Sequence, residues 1–445
     1  MASIGRRKAR SLGRRQALTV IGGFVGGAMA TAHWRRSYAQ TAKIVRVWTG
    51  QSSPDQMKAY DDIIKGFEAA NPGVKVAIEL ATQDAIWAKL SAGYAGGEIA
   101  DIVTNFNTYV AGGLYPKGLL EPLNDVAQSI GDFTARSLDV YNDKGTQFAL
   151  AYAQTVISTA WVRTDLLSQA GIAVPKYWDD YASAAKALTK GGVFGTTLPY
   201  GAKGMSSRIV DMCVRQAGGD IIAPDGSVAF NGPGTWKALE FLKEMRPYCP
   251  TGANSYSFIE QVNAFGSGAA AIGVYTGRQI ATVREKNPSL EDKYTSAYFP
   301  YPKDGVPYWV CGFDALFVPK APKVNVAEAK AFARWMYRAD NYTKFLHAAP
   351  GHNLPVVKSV AASADYNNHD LLKKKKEAVD RMQEIGSVAF DPIKPTAKHP
   401  MVFKMGEIYG SDVMGQVLQR VVVNNETPQA AAAWGQDQID KIMKT

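Results

Sequence analysis

The chain has 445 residues, of which 46% are hydrophobic, so it can bury large cores in two or three domains. Its three cysteines exclude a small scaffold held together by disulfides. The formal net charge of +10 would suggest a nucleic-acid-binding protein, but most of the excess positive charge lies at the N-terminus.

The N-terminal segment has the three parts of an export signal. Basic residues precede an apolar run at 17–32, which is shorter than the about 20 residues that span a bilayer. The sequence "SYA" follows, so we expect cleavage after Ala39. Arg14 and Arg15, followed by "QAL", resemble the twin-arginine signal, although Ala17 replaces its usual phenylalanine. The alternative, a buried N-terminal helix, is disfavoured because the segment holds eight basic and no acidic residues.

Removal of this segment changes the charge of the protein. It carries eight of the 50 basic residues, so 42 remain against 40 acidic residues. A nearly neutral mature protein does not favour nucleic-acid binding. We expect a soluble periplasmic protein, because no second apolar stretch approaches membrane length. We expect no lipid anchor, because no cysteine stands at the cleavage site.

The cysteines leave two interpretations open. Cys213, Cys249 and Cys311 are either buried thiols, or Cys213 and Cys249 form a disulfide and leave one thiol over.

From residue 43 the chain alternates between strand and helix patterns. Residues 43–48 favour a strand, Ser53 and Pro54 begin a helix, and 74–80 alternate as a second strand. Another helix ends near Gly93, and "ADIVT" is typical of a third strand. This β-α-β-α-β series predicts a parallel sheet with helices on its faces.

Helices dominate the middle of the chain, where "DDYASAAKALTK" and "GTWKALEFLKEM" are amphipathic. Strand patterns return in "AYFPYP" (297–302) and "YWVCGFDALFV", and helices follow in "NVAEAKAFARWMYRA" and "TPQAAAAWGQDQIDKIM".

Signatures of catalysis are missing from the sequence. There is no GxGxxG after a strand, no GxxxxGK[ST], no HExxH, no CxxC and no GxSxG. The four histidines after Ala39 do not have metal-ligand spacing. We therefore expect no catalytic residue, no metal and no cofactor.

Non-covalent binding is the remaining chemistry, and open α/β sheets bind ligands beyond the carboxyl ends of their strands. Trp48 and Gln51 follow the first predicted strand, and Asn105 and Asn107 follow the third. An aromatic ring beside amides suits a polyhydroxylated ligand. The alternative is that Trp48 belongs to the core and that the asparagines cap helices.

Several longer segments are similar to the family 1 extracellular solute-binding proteins, the maltose-binding-like receptors of ABC importers. They are "VWTGQSSPDQMKAYDDIIKGFEAANPGVKVAIEL", "ADIVTNFNTYVAGGLYPKGLLEPLNDV", "AAAIGVYTGRQ", "GHNLPVVKS" and "TPQAAAAWGQDQIDKI", in that order. The resemblance implies a type II periplasmic-binding-protein fold, an α/β architecture with two lobes. Each lobe has a mixed sheet flanked by helices, and the lobes close over a ligand in the cleft between them.

The domain boundaries that follow from this resemblance are a signal peptide at 1–39, a first lobe at 43–153 and 300–347, and a second lobe at 154–299 and 348–445. The implied partners are a small-molecule solute of the sugar type and an inner-membrane ABC permease, and we expect a monomer that does not bind nucleic acid.

The resemblance also carries over positions of ligand contact. Tyr152 and Gln154 fall where the chain first crosses between lobes, although the proline usual there is absent. Arg278 stands near a family stacking tryptophan, so either Tyr275 stacks instead or Arg278 meets a hydroxyl-rich or anionic group. The complete set of expected ligand contacts is Trp48, Gln51, Asn105, Asn107, Tyr152, Gln154, Tyr275, Arg278, Trp309, Phe313, Asp314 and Tyr409.

The sequence thus predicts a periplasmic receptor that captures a carbohydrate-type solute and delivers it to an ABC importer. Two alternatives stay open. One is an exported carbohydrate-active hydrolase that uses two cleft carboxylates, and the other is a binding subunit that feeds a sensor kinase.

The export route can be tested at Arg14 and Arg15. Replacement of both residues by lysine should leave the precursor in the cytoplasm, because the twin-arginine pair is what directs a folded precursor to that pathway. Cell fractionation measures this, with Arg6 and Arg7 replaced by lysine as the control. Unchanged export of both variants would indicate the general secretory route.

Overall fold

The computed structural model describes residues 42–50, 53–82 and 85–444, which belong to one compact unit. The predicted signal peptide and Gln51 lie outside the described residues. Within the described residues, no helix combines the length and the apolar character that crossing a membrane requires.

The strands of the described chain are β1 Lys43–Thr49, β2 Val74–Leu80, β3 Ile102–Phe106, β4 Asn142–Asp143, β5 Thr146–Gln147, β6 Leu150–Val156, β7 Thr159–Arg163, β8 Ile272–Val274, β9 Tyr294–Tyr298 and β10 Cys311–Phe317. Its helices are α1 Pro54–Ala70, α2 Ile86–Gly96, α3 Thr108–Leu114, α4 Asn124–Ile130, α5 Ala135–Asp139, α6 Thr164–Ala170, α7 Trp178–Leu188, α8 Gly204–Gln216, α9 Pro233–Met245, α10 Phe258–Gly266, α11 Arg278–Lys286, α12 Val326–Met336, α13 Ala339–His347, α14 Lys358–Ala362, α15 Ala364–Asn367, α16 Asp370–Lys374, α17 Lys376–Val388, α18 Met405–Gly410, α19 Val413–Val422 and α20 Pro428–Lys444.

The predicted β-α-β-α-β start is confirmed. Ser53 caps α1 through a capping box: its Oγ accepts from the backbone N–H of Gln56 at 3.3 Å, and its own N–H donates to Gln56 Oε1 at 3.1 Å. β1 pairs in parallel with β2 and with β3. The buried face of α1, which includes Tyr60 and Phe67, covers this sheet.

A five-stranded sheet in the order β2-β1-β3-β10-β6 positions the site. β10 is antiparallel to both of its neighbours, and Ala315 pairs with Phe106, the last residue of β3. Asp314 therefore lies at the carboxyl end of β3. On the other side, Gly312 pairs with Thr155 of β6.

A smaller antiparallel sheet has the order β8-β7-β9. Its strand predicted from "AYFPYP" (297–302) lies too far along the chain, because β9 begins at Tyr294 and ends at Tyr298. Pro300 and Pro302 follow within four residues, and proline has no N–H to donate to a strand ladder.

Two clusters of buried side chains make up the interior, and we call them the first core and the second core. The first core includes side chains of β1, β3, β6 and β10, and the second includes side chains of β7, β8, α8 and α9. Val156 belongs to the first core and Ile157 to the second, while Val310 belongs to the second and Cys311 to the first. The buried hydrophobic side chains of residues 354–393 belong to the first core, and the partly buried Phe390 packs against the second. The lobe boundaries expected from the sequence stay a prediction.

All three cysteines are buried and carry free thiols. The interpretation as buried thiols is confirmed, and the alternative Cys213–Cys249 disulfide is wrong for this structure. Burial raises the pKa of the Cys249 thiol and of the Cys311 thiol to about 12.

A close approach of two backbone segments fixes the start of α11. A Cβ atom on Gly277 would lie 1.9 Å from the carbonyl O of Gly351. Only glycine at this position allows the approach, which brings Thr276 Oγ1 to 2.9 Å from His352 Nδ1.

Replacement of Gly277 by alanine should therefore separate these segments and lower the free energy of unfolding by about 2–3 kcal/mol, the range expected for overpacking. Gly410→Ala is the matched control, because no heavy atom lies within 4 Å of its Cβ position. Urea denaturation of both variants measures the effect. A Gly277→Ala variant as stable as wild type would contradict the close approach.

Candidate functional site

A cavity of about 250 Å³ lies at the edge of the five-stranded sheet where β1 and β3 end. Its wall contains donors, acceptors and ring faces, the combination that polar ligands require. The lining residues are Gly50, Asn105, Asn107, Thr155, Ile157, Arg208, Phe258, Tyr275, Thr276, Arg278, Asp314 and His352.

The sheet side of the cavity is held by the ends of β3 and β10. Asn105 has a φ of 62°, a left-handed conformation that asparagine tolerates better than most residues. Its amide donates to Thr49 Oγ1 at 3.1 Å and to the Tyr60 hydroxyl. The neighbouring strand β1 and the helix α1 therefore fix its orientation, and Asp314 lies beside it on β10.

Arg208 of α8 forms much of the opposite wall. It is only 4% exposed, and its Nη2 donates to Asn107 Oδ1 at 3.1 Å. Its guanidinium lies 5.5 Å from the ring of Tyr409 and 5.9 Å from the ring of Tyr109, and these rings stack 5.9 Å apart. Cation–π attraction and the hydrogen bond thus hold a buried charge at the cavity.

The carboxyl groups of Asp314 and Asp391 both interact electrostatically with Arg208. Burial raises the pKa of Asp314 to about 6, although attraction to Arg208 and Arg278 opposes this effect. Burial also raises the pKa of Asp391 to about 6, against a hydrogen bond from Thr108 Oγ1 at 2.5 Å and attraction to Arg208. Both carboxylates are therefore ionised at neutral pH, at a cost in desolvation.

Arg278 and His352 complete the wall. Arg278 is the first residue of α11 and is exposed. Burial, reinforced by Arg278, lowers the pKa of His352 to about 3, so its imidazole is neutral and contributes no charge at physiological pH. A neighbouring cavity of about 340 Å³ shares Phe258 and Tyr275 with the first and extends along α10.

Five of the residues expected to contact ligand line the cavity: Asn105, Asn107, Tyr275, Arg278 and Asp314. The structure does not place six others on its wall. Those six are Trp48, Tyr152, Gln154, Trp309, Phe313 and Tyr409, and Gln51 lies outside the described residues.

Packing explains the position of the aromatic residues near the sheet. Trp48 is 7% exposed and packs against α2, where Lys89 Nζ lies 4.5 Å from its ring. Tyr152 is fully buried, 4.2 Å from the ring of Phe345. Phe313 precedes Asp314 on the same strand, so its side chain points to the opposite face. These three side chains are core residues.

The side chains of the remaining three expected contact residues form hydrogen bonds outside the cavity lining. Gln154 Nε2 donates to the Gly386 carbonyl O at 2.9 Å. Trp309 Nε1 donates to the Phe299 carbonyl O at 2.9 Å, and its ring lines a separate groove. Tyr409 supports Arg208 from behind, and its hydroxyl donates to Asp211 Oδ2 at 2.9 Å.

Sequence reasoning missed Arg208, Thr155, Phe258, Thr276 and His352. The signal for Arg208 was present, because "MSSRIVDMCVRQ" places Arg208, Asp211 and Arg215 in a helix whose other residues can be buried. Every residue from Met205 to Gln216 is buried in the structure. Charges on so buried a helix require partners: Asp211 and Arg215 pair with each other at 2.8 Å, whereas Arg208 finds its partner Asn107 at the cavity.

Comparison with known proteins decides the family. The model of the family described as bacterial extracellular solute-binding protein matches residues 62–374, well over half of the chain. The chain belongs to this family. The resemblance seen in the sequence is thereby confirmed, and the protein is a solute-binding protein.

Two relatives of this solute-binding protein carry names that describe binding. YcjN of Escherichia coli (strain K12), which is named as an ABC transporter periplasmic-binding protein, is 22% identical over 86% of this chain and 88% of its own. The mannitol-binding protein of Pseudomonas aeruginosa is 29% identical over 61% of this chain and 64% of its own.

A solved structure confirms the predicted fold class. The solute-binding protein of an ABC transporter from Thermotoga lettingae, bound with α-D-tagatose, has a TM-score of 0.73 and 21% identity, and the match covers 90% of this chain and all of that one. This solute-binding protein therefore has the α/β, type II periplasmic-binding-protein fold.

The raised pKa of Asp314 has a consequence for stability. The folded protein binds this proton more tightly than the unfolded chain, whose carboxyl titrates near 3.8. The ionised carboxyl therefore destabilises the fold above pH 6, and this cost disappears as the pH falls towards 4. We expect Asp314→Asn to raise the free energy of unfolding at pH 8 by about 1–3 kcal/mol.

Urea titrations of the unliganded protein at pH 8 and at pH 4 measure the difference. Asp61→Asn, an exposed acid on α1, is the control and should change little at either pH. If Asp314→Asn is less stable than wild type at pH 8, the carboxylate stabilises the fold and the argument from burial fails.

Proposed function

We propose that this solute-binding protein captures a small carbohydrate, either one sugar unit or one sugar alcohol, and delivers it to an ABC permease of the inner membrane. The observation that carries the proposal is the cavity wall, in which the guanidiniums of Arg208 and Arg278 face the carboxylate of Asp314 beside the rings of Phe258 and Tyr275. Hydroxyl groups both donate and accept, so a polyhydroxylated ligand can satisfy both kinds of group.

The size of the cavity supports a small ligand. Its volume of about 250 Å³ by itself is below the roughly 300–1,000 Å³ of pockets that bury drug-sized molecules, and the adjoining cavity of about 340 Å³, which shares Phe258, Tyr275, Arg278 and His352 with it, is the additional space that a disaccharide would need. The names of relatives agree in class, since one is a mannitol-binding protein and another was solved with tagatose. A sugar alcohol and a sugar of six carbons have comparable size and a hydroxyl on most carbons.

Binding by closure of two lobes is part of the proposal. Arg208 belongs to α8, which packs in the second core, whereas Asn107 follows β3 of the first core. Their hydrogen bond therefore joins the two cores at the cavity. A ligand placed between them adds contacts to both sides and shifts the population towards the closed form.

The arrangement favours binding over hydrolysis. A glycoside hydrolase uses two carboxyls that flank the scissile bond. Among the described residues that line this cavity, Asp314 is the only acid, and Asp391 is buried behind it and hydrogen-bonded to Thr108.

We propose that the mature protein is a soluble, unlipidated periplasmic monomer exported by the twin-arginine route, and that it has no catalytic activity. The name of YcjN supports an importer as its partner, rather than a sensor kinase.

A thermal-shift screen with monosaccharides, sugar alcohols and disaccharides tests the proposal. A ligand at 100 times its dissociation constant should add about 2.7 kcal/mol to the free energy of unfolding. Arg278→Ala should weaken binding of the hit by about 1.5–3 kcal/mol, because it removes a charged hydrogen-bond donor, and should leave the unliganded melting temperature unchanged.

Arg284→Ala is the matched control for this measurement. Arg284 lies on the same helix, outside the cavity lining, and pairs with Glu291 at 2.8 Å on the surface. The Arg284→Ala variant should bind the hit with the affinity of wild type. A screen that responds only to amino acids would refute the carbohydrate proposal. Normal binding by an Arg278→Ala variant that melts lower would make Arg278 a structural residue.

A further inference from the structure

The charges around the cavity belong to two arginines and two aspartates. Arg208 has Asp391 as a nearby carboxylate, and the attraction between them acts on the pKa of both groups. Asp391 is 5% exposed and is held by Thr108 and by the backbone N–H of Ile393 at 3.1 Å. Asp391 is therefore held in place without a ligand and helps to balance the charge of Arg208 from outside the cavity lining.

Asp314 and Arg278 are open to the ligand. Both line the cavity and attract each other, although Arg208 attracts Asp314 more strongly, and neither forms an ion pair within 4.0 Å in the described part of the chain. Asp314 is partly exposed and Arg278 is exposed. A molecule in the cavity can therefore contact both groups.

A ligand between these groups must leave the total charge near zero. The cavity region holds two guanidiniums and two carboxylates, and His352 is neutral. A negatively charged ligand would place a third anion beside Asp314 in a buried setting, where repulsion is poorly screened. A neutral ligand with hydroxyl groups donates to Asp314 and accepts from Arg278 without this repulsion.

We propose that the site selects uncharged sugars or sugar alcohols against the corresponding sugar acids, and that Asp314 is the residue that determines this selectivity. The inference rests on the proposed function and narrows its ligand class. Asp314 accepts hydroxyl hydrogens of the neutral ligand and repels a carboxylate at the same place. Without its charge, Arg278 would attract that carboxylate instead.

Matched pairs of neutral and acidic ligands provide the test. Isothermal titration at pH 8 compares D-mannitol with D-mannonate, D-glucitol with D-gluconate, and D-glucose with D-glucuronate. We expect wild type to bind the neutral member of a pair at least tenfold more tightly, which corresponds to about 1.4 kcal/mol. Asp314→Asn should lower the affinity for the neutral ligand and raise the affinity for the acid. The ratio of neutral to acid affinity should then be one or below.

Asn at position 314 keeps the shape of the side chain, and the folded state of the variant is checked by its melting temperature. Asp391→Asn is a second variant for comparison: Asp391 does not line the cavity but helps to balance the charge of Arg208, so we expect its neutral-to-acid ratio to fall less than that of Asp314→Asn. If that ratio collapses while Asp314→Asn keeps the wild-type ratio, the selectivity belongs to Asp391 and the proposal is overturned.

A measurement on the wild type does not depend on any variant. The charged and titratable groups around Asp314 are Arg208, Arg278, His352 and the tyrosines Tyr60, Tyr141, Tyr275 and Tyr342. None of them changes charge between pH 8 and pH 5, because burial raises the pKa of each tyrosine and lowers the pKa of His352 to about 3, and guanidinium groups keep their charge in proteins. Both Asp314 and Asp391 gain protons in this interval. The neutral-to-acid ratio should therefore fall further at pH 5 in wild type than in Asp314→Asn, in which only Asp391 gains a proton. A ratio that falls equally in both proteins overturns the proposal.

The outcomes separate this inference from the proposed function. If wild type binds a sugar acid as tightly as its neutral partner, or more tightly, the inference is overturned and the proposal of a carbohydrate receptor stands. If no member of these pairs and no carbohydrate of the thermal-shift screen binds, both the selectivity inference and the proposal of a carbohydrate receptor are overturned.

Discussion

The antiparallel insertion of β10 between β3 and β6 is the constraint on which the site depends. Parallel strands β1 and β3 end at one edge of the sheet, and β10 begins at that edge because it runs the opposite way. A residue more than 200 positions later in the chain is thereby brought beside Asn105. The register of β10 shifts beside Asp314, where the hydroxyls of Thr108 and Tyr141 donate to the Phe313 carbonyl O, so backbone pairing and these two side chains together fix the position of Asp314.

Around this edge the protein trades stability for function. Asp314 and Asp391 stay ionised in surroundings that raise their pKa values, and Arg208 is buried in a helix otherwise suited to a core. Each charge would be costly alone, and the network of Asn107, Thr108 and the stacked tyrosines distributes that cost. Such strain at a binding site is common, because groups that already satisfied each other would have nothing to offer a ligand.

The sequence was informative where local rules decide the structure. Capping by Ser53 and the alternation of 74–80 predicted α1 and β2, and the strand-end rule together with the family resemblance led to Asn105, Asn107 and Asp314. It failed where tertiary packing decides. The sequence cannot show whether Tyr152 or Tyr409 faces a cavity or a core, because an aromatic residue suits both. Arg208 was missed because its partners, Asn107 and Asp391, lie about 100 and 180 positions away.

The position of Trp309 has a spectroscopic consequence. Its indole packs against side chains of both the first and the second core, beside Tyr298 at 4.7 Å. A displacement of one core relative to the other changes the polarity and the quenching partners around this ring. Trp309 therefore places an intrinsic fluorophore at the junction of the two cores and outside the lining of the cavity between β1, β3 and β10, and in a variant in which the other tryptophans are replaced its emission would report relative movement of the cores.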